Sequence, residues 1–307
     1  MSRIVVTGGA GRLGRSLVAG LAERGHEVVS FDRATSGAAQ LADVRQVAID
    51  LTDADATAAA LRAARADAVI HLAAIAVPFS APEHVILRTN AALAMSVLGG
   101  AVSAGIGRVV AASSPTVLGY GAPGWLPDRF PLDEQTPPRP SNAYALSKHL
   151  IEQTVTMLRR QHDDVRFASF RPCYVIAPEE WGGALTQQGH TVQQRLDDPA
   201  LSAPALFNYV DARDVAGFAD TLLQAMPEIA NGETFFVGAD DALAREPLAE
   251  LIPRFVPGSD ELASVLTGTS PAFSNAKARR LLGWRPEHSW RTALATQPHT
   301  DTQGAPV

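Results

Sequence analysis

The stretch Thr7-Gly8-Gly9-Ala10-Gly11-Arg12-Leu13-Gly14 follows an apolar run, Ile4-Val5-Val6, and leads into a helical run from Arg15 to Arg24. A short β-branched strand that turns through glycines into a helix leaves free backbone N–H groups at the positive end of the helix dipole, which suits a pyrophosphate. In this reading Gly8 makes the tight turn, Gly11 lets phosphates approach the backbone and Gly14 lets helix and strand pack closely. Arg12 and Leu13 belong to the same cofactor contact. The expected fold is a Rossmann-type, doubly wound parallel sheet of the α/β class.

The second strand reads Glu27-Val28-Val29-Ser30-Phe31-Asp32, so a carboxylate stands at its carboxyl end. There it would hydrogen-bond the adenosine ribose hydroxyls and repel a ribose 2′-phosphate, which favours NAD over NADP. Arg33 follows at once and softens that preference.

Composition bounds the rest. The chain has 307 residues, 46% of them hydrophobic, and a formal net charge of −6 without a basic cluster, which argues for a globular protein and against nucleic acid as a partner. No run is read as a membrane span, and the first strand starts too near Met1 to leave room for a signal peptide, so the expected location is the cytoplasm. The single cysteine, Cys173, excludes an intramolecular disulfide framework and a cysteine-rich metal site. A polar tail over 296–307 is expected to be mobile.

Farther along, Arg45 to Asp53 reads as a strand with Asp53 as the N-cap of a helix from Ala54, and Asp50 and Leu51 are candidates to flank the adenine. Ala68-Val69-Ile70-His71-Leu72-Ala73-Ala74 is a buried parallel strand whose small last residues, with Leu72, let a cofactor lie against the backbone. His71 is read as a core histidine, since nothing nearby completes a metal site. The helix from about Pro82 to Ala104 carries Asn90 and is apolar enough to pack on the sheet and on a partner subunit. A strand from Arg108 ends in Ser113-Ser114, followed by a Pro-rich loop that could cover a site.

Ser141-Asn142-Ala143-Tyr144-Ala145-Leu146-Ser147-Lys148 then opens a helix. Tyr144 and Lys148 are four apart, so both project from one face. A phenol with an ordinary pKa of about 10 needs that value lowered to trade protons at neutral pH, and an ammonium one turn away favours the phenolate. The lysine could also hold ribose hydroxyls.

Taken in order, the glycine turn, Asp32, Asp50-Leu51, the HLAA run at 71–74, Asn90, Ser113-Ser114, Tyr144-x-x-x-Lys148 and Arg171-Pro172 resemble the extended short-chain dehydrogenase/reductases, the group that includes NAD-dependent sugar epimerases and dehydratases. The resemblance covers nearly the whole chain, including Tyr209 to Ala216 and Asn275 to Pro286. It implies that Ser114 polarises the reacting oxygen, with Ser113 the competitor for that role, that Tyr144 is the acid/base and that Lys148 fixes the nicotinamide ribose. Thr116 adds a hydrogen bond, Asn90 belongs to the cofactor side, and Arg171 to Tyr174 close over the nicotinamide. A homodimer through the helices at about 84–104 and 144–160 is also implied.

Two departures bear on the substrate. Relatives that bind nucleotide-diphosphate sugars hold the diphosphate with arginines, yet Phe207 stands where one is expected and no Arg or Lys occurs between Phe255 and Ala276. Ser-Ser followed by Gly119-Tyr120 also resembles the uronate dehydrogenases, but Glu179 to Ala184 lacks a cation for a substrate carboxylate. Trp181, Phe207, Trp125 and Phe130 instead suggest apolar or sugar-stacking walls. The expectation is therefore a dinucleotide domain over 1–176, completed by about 210–238, and a substrate lobe over 177–209 and 239–295. The expected activity is hydride transfer between NAD and a secondary alcohol or carbonyl of a small non-nucleotide substrate. The alternatives are a nucleotide-sugar 4-epimerase or dehydratase that retains NAD, and a non-catalytic dinucleotide sensor.

Overall fold

A computed structural model describes residues 1–33 and 44–295; the tail expected to be mobile, and most of the loop after Asp32, lie outside them. Seven parallel strands form the central sheet: β1 (Arg3–Thr7), β2 (Glu27–Asp32), β3 (Arg45–Ala48), β4 (Ala68–His71), β5 (Arg108–Ala112), β6 (Arg166–Pro172) and β9 (Glu233–Val237). Their spatial order is β3-β2-β1-β4-β5-β6-β9, so the chain reverses direction across the sheet between β1 and β4. In such a sheet the carboxyl ends flanking the reversal form the ligand crevice. Thr7, in register with His71, marks that point.

Side chains alternate across the strands and bury two apolar layers. Ile4, Val6, Ile70, Val110 and Phe170 face α1 (Arg12–Glu23) and α7 (Ala212–Ala225). Val5, Val69, Val109 and Phe167 face α2 (Ala54–Ala64), α3 (Glu83–Ser103) and α4 (Ala143–Gln161). Each buried valine, leucine or phenylalanine stabilises the fold by about 1.5–3 kcal/mol, which sets the strand register firmly.

α3 is long and apolar enough to cross a membrane by length and composition. Half of its apolar window is buried, with Leu93, Val97 and Leu98 in the sheet-facing layer, as suits a core helix.

The remaining elements build on the carboxyl edge. β7 (Val175–Ile176) pairs in parallel with β8 (Val210–Asp211), and α5 (Pro178–Trp181) and α6 (Val192–Asp197) lie between them in sequence. Ile176, Trp181, Val192, Leu196, Tyr209, Leu243 and Trp290 form a separate small core there. The Tyr209 to Ala216 motif binds this lobe to the C-terminal segment. Tyr209 donates to Asp241 and accepts from the Trp290 amide at 2.9 Å, while Asp214 accepts from the amides of Glu287 and His288.

Candidate active site

The glycine turn is shaped by contact. Gly8 has φ +74°, and a Cβ there would lie 2.8 Å from the Ala73 nitrogen, so the turn presses against the chain leaving β4. A Cβ on Gly14 would lie 2.1 Å from the Gly8 carbonyl oxygen, and one on Gly9 would strike the Ser30 hydroxyl at the same distance. Gly9 carried no role in the sequence reading; its requirement comes from a neighbouring strand. Gly11 caps α1 without a side chain, which leaves the first N–H groups of the helix open for an anion. These features fit a dinucleotide diphosphate. Asp32 stands beside them, accepting from the Ala10 amide at 3.1 Å and the Arg33 amide at 2.7 Å.

Several residues expected on the cofactor are engaged elsewhere. The Arg12 guanidinium crosses to α5, where Nε donates to Glu180 at 2.7 Å and a terminal nitrogen donates to the second carboxylate oxygen and to the Val175 carbonyl. What Arg12 offers the crevice is its backbone N–H. Leu51 is buried in the α2–α3 layer, so its side chain is core, while Asp50 accepts from the Thr52 amide and hydroxyl in an exposed turn. Leu72, Ala73 and Ala74 run half-buried past Gly8, and Leu13 packs against the α1–α7 layer. Asn90 is fully buried and clamps the loop after β4. Its amide oxygen accepts from the Ile75 nitrogen at 2.8 Å, and its amide nitrogen donates to the Ile75 carbonyl and to the Ser147 hydroxyl at 2.9 Å. Ser147 in turn donates to the Tyr144 carbonyl at 2.7 Å, a link absent from the sequence reading.

Asn142 caps α4 by accepting from the Ala145 amide, which fixes the helix start just ahead of Tyr144. Tyr144 shares a small apolar cluster with Ile86 and Ala143, against which Ile75, Ala81 and Leu87 pack. Burial raises its pKa, and a hydrogen bond from the Ser114 hydroxyl lowers it; the lowering expected from Lys148 is not what dominates. Lys148 Nζ lies 5.9 Å from the ring centroid and donates to the Ala112 carbonyl at 2.9 Å. Burial pulls the Lys148 pKa down to about 8. Ser114 accepts from the Thr116 amide at 3.3 Å and the Thr116 hydroxyl at 2.9 Å. Both lone pairs of the serine are thus occupied, and its single proton is left for the phenol or a substrate oxygen.

The Ser113 hydroxyl is engaged away from Tyr144. It is buried and donates to Glu152 at 2.6 Å, with the Lys148 carbonyl as a second, longer acceptor. Glu152, which the sequence reading missed, also accepts twice from Arg171, at 2.7 and 2.9 Å. Arg171 is thus buried in an ion pair with a carboxylate of α4, while its other terminal nitrogen is buried without a partner. Burial pushes the Glu152 carboxyl up, but hydrogen bonds from Arg171, His149 and Ser113 hold it at about 2. His71, hydrogen-bonded to Thr7 at 2.8 Å, is buried and held neutral with a pKa of about 3.

The aromatic walls are mostly core. Trp181 is buried, donates to Asp211 at 2.6 Å and packs edge-on against Tyr209. Phe207 is buried at φ +58° against Phe255. Phe130 is buried and Trp125 donates to the Leu118 carbonyl. Tyr174 packs against the small core of the lobe, its amide donating to Asn208 at 2.8 Å. Asn208 also hydrogen-bonds the Tyr120 phenol, which is close enough to Tyr144 to raise its own pKa, though burial is the larger cause. Cys173 is buried with its thiol pKa pushed up by burial, as befits a packing residue. A cavity of about 750 Å³ between α1, α7 and residues 283–288 includes Arg12 but none of Ser114, Tyr144 or Lys148.

Comparison with known proteins agrees with this arrangement. The model of the NAD dependent epimerase/dehydratase family matches residues 4–238. UDP-glucose 4-epimerase of Corynebacterium glutamicum is 25% identical over 310 residues, covering 94% of this chain and 92% of that enzyme. 2-alkyl-3-oxoalkanoate reductase of Stenotrophomonas maltophilia is 29% identical over 257 residues, covering 81% of this chain and 73% of that enzyme. Among solved structures, a short-chain dehydrogenase/reductase superfamily protein of Agrobacterium tumefaciens with bound NAD superposes with a TM-score of 0.70 at 24% identity, covering 95% of each chain. With a seven-stranded parallel sheet, a glycine turn at its crevice and a family match across most of its length, the chain belongs to the NAD-dependent epimerase/dehydratase family.

Proposed function

We propose that the protein is an NAD-dependent oxidoreductase that interconverts a secondary alcohol and a carbonyl on a small non-nucleotide substrate, with Tyr144 as acid/base, Ser114 as hydrogen-bond donor to the reacting oxygen and Lys148 as the ribose-binding cation. The observation that carries this reading is the hydrogen-bonded set Thr116–Ser114–Tyr144 beside the Lys148 ammonium, facing the crevice. Bound NAD supplies the hydride acceptor. In oxidation the Tyr144 phenolate takes the hydroxyl proton while Ser114 donates to the oxygen that becomes the carbonyl. Lys148 stabilises that phenolate and donates to the ribose. In reduction Tyr144 Oη delivers the proton.

The absence of an arginine at Phe207, together with its burial, supports a substrate without a nucleotide diphosphate. The named epimerase relatives favour a second reading, a UDP-sugar 4-epimerase that retains NAD through turnover. Both readings use Tyr144, and they separate in one assay. Under the first, purified protein reduces added NAD in step with an oxidised substrate, and Tyr144→Phe lowers turnover by about 10²–10⁴ while NAD binding holds. Under the second, NAD copurifies and UDP-glucose is converted to UDP-galactose with no net NADH. Retention of turnover by Tyr144→Phe contradicts both, whereas wild-type protein that binds NAD and turns over neither substrate leaves the sensor.

A further inference from the structure

Helix α4 carries three buried side chains one turn apart on a single stripe, Tyr144, Lys148 and Glu152. The chain at the end of β5 meets that stripe with three consecutive residues. Lys148 Nζ donates to the Ala112 carbonyl at 2.9 Å, the Ser113 hydroxyl donates to Glu152 at 2.6 Å, and the Ser114 hydroxyl donates to Tyr144. Two of these three contacts belong to the reacting groups. The third, Ser113 with Glu152, has no part in the chemistry assigned above, yet it lies between the other two in sequence.

That position gives it leverage over both. Fixing the Ser113 side chain fixes the peptide units on either side of it. One of them contains the Ala112 carbonyl, and a lysine ammonium on its flexible stem stands where its acceptors are. The other leads to Ser114, which is extended at φ −159° and ψ 147°, so its hydroxyl points to the side opposite Ser113. Ser113 has the Lys148 carbonyl as a second acceptor at 3.3 Å, so Lys148 holds the strand end with its ammonium and is held by it through its own backbone.

Glu152 is itself a fixed point. Arg171 donates to both of its oxygens, and a guanidinium fork on a carboxylate sets the plane of the acceptor as well as its distance. Arg171 follows Phe170, whose carbonyl accepts from the Ser113 amide at 2.7 Å, and its guanidinium carbon lies 5.1 Å from the Phe236 ring centroid. Strand β6 therefore fixes the carboxylate, and the carboxylate fixes the end of β5.

We propose that Glu152 is a positioning residue of the reaction, setting through Ser113 where the Lys148 ammonium and the Ser114 hydroxyl stand relative to the Tyr144 phenol. The proposal rests on the oxidoreductase reading for the roles of those three groups and adds to it the group that keeps them in place. A merely structural ion pair would stabilise α4 and leave the bonds at Tyr144 and Lys148 unchanged in any variant that folds. A positioning one alters those bonds even where stability holds.

The test is carbon NMR of the NAD-loaded protein with tyrosine labelled at the ring carbon that bears the hydroxyl, beside NADH titration followed by fluorescence. The chain has four tyrosines, so Tyr144→Phe assigns the Tyr144 resonance, and Ser114→Ala marks where it stands once the Ser114 bond is gone. Ser113→Ala leaves Glu152 and Arg171 paired. It is expected to move the resonance most of the way to the Ser114→Ala position and to weaken NADH binding by about threefold or more through Lys148. Glu152→Asp, whose carboxylate stops one methylene short of Ser113, should do the same, while Glu152→Gln, which keeps an acceptor at full reach, should move the resonance less. Val155→Ala removes buried side-chain volume from the same helix and should lower the melting temperature with both readouts at wild-type values. A wild-type resonance or a wild-type NADH affinity in Ser113→Ala overturns the positioning role. A shift in Val155→Ala as large as that in Ser113→Ala also overturns it, by making the effect one of helix stability. If the Glu152 variants fail to fold by circular dichroism, Ser113→Ala decides alone. Failure of the oxidoreductase reading is distinct, because it shows as wild-type protein that binds no NAD or as turnover that survives Tyr144→Phe.

Discussion

Glu152 accepts both Nε and a terminal nitrogen of Arg171, at 2.7 and 2.9 Å, across the gap between helix α4 and the end of strand β6. With Ser113 donating to the same carboxylate from the end of β5, three elements meet at one buried anion. Helix α4, which carries Tyr144 and Lys148, is thereby held in register with the ends of β5 and β6.

That pair makes stability pH-dependent. The Glu152 carboxyl sits at about 2 in the folded protein against an ordinary 4.5, so the folded state binds fewer protons than the unfolded one between these values. The contribution is fully present above pH 4.5 and is lost as pH falls toward 2. Its size is about 3 kcal/mol at neutral pH. Urea unfolding at neutral pH and near the lower limit should show this loss, and Glu152→Gln should be weaker at neutral pH with a flatter acid profile. Glu152→Ala, which leaves Arg171 unpaired, should cost about 3–5 kcal/mol.

Thr116 occupies both acceptor positions of Ser114, and its removal should free the serine proton to point elsewhere. Thr116→Val is expected to lower kcat by about tenfold, the value of one hydrogen bond, with little change in NAD affinity. Because donation from Ser114 lowers the Tyr144 pKa, the rising limb of the oxidation pH profile should move to higher pH in this variant. An unmoved limb would separate Ser114 from the phenol.

Gly14 admits no side chain, since a Cβ would lie 2.1 Å from the Gly8 carbonyl oxygen. Gly14→Ala must push the turn away from α1. We expect a stability loss of about 1–3 kcal/mol and NAD binding weakened by about tenfold or more, read by thermal melts with and without NAD. The same substitution at Gly99, where a Cβ meets nothing within 4 Å, is the control.

Met95 on α3 and Leu146, Leu150 and Met157 on α4 are 37–47% exposed, and the three on α4 follow helical spacing along one face. A homodimer through these helices would cover them, consistent with the unusual apolarity of α3. Sedimentation should give a dimer for the wild type and a monomer for Leu150→Glu. A monomeric wild type rules this assembly out.

How much of this was legible beforehand depended on the range of the interaction. The glycine turn, the strand ending in Asp32 and the Tyr144/Lys148 spacing are local patterns, and each follows from backbone geometry within a few residues. Asn142, one residue outside the expected chemistry, caps the helix for the same local reason. The choice of Ser114 over Ser113 rests on resemblance alone, because adjacent residues at a strand end point to opposite sides and only packing says which side holds Glu152. Trp181 and Phe207 looked like cleft walls because an aromatic side chain in a loop carries no mark of which surface it faces.

By itself the sequence determined a parallel sheet, a dinucleotide turn and a phenol one helical turn from an ammonium, since periodicity and spacing encode them directly. Only the tertiary structure decided which charges meet. Arg12 with Glu180 and Glu152 with Arg171 are brought together across 168 and 19 residues of chain. The physical reason is that an ion pair depends on separation in space and on the exclusion of water, neither of which is written in the order of the residues.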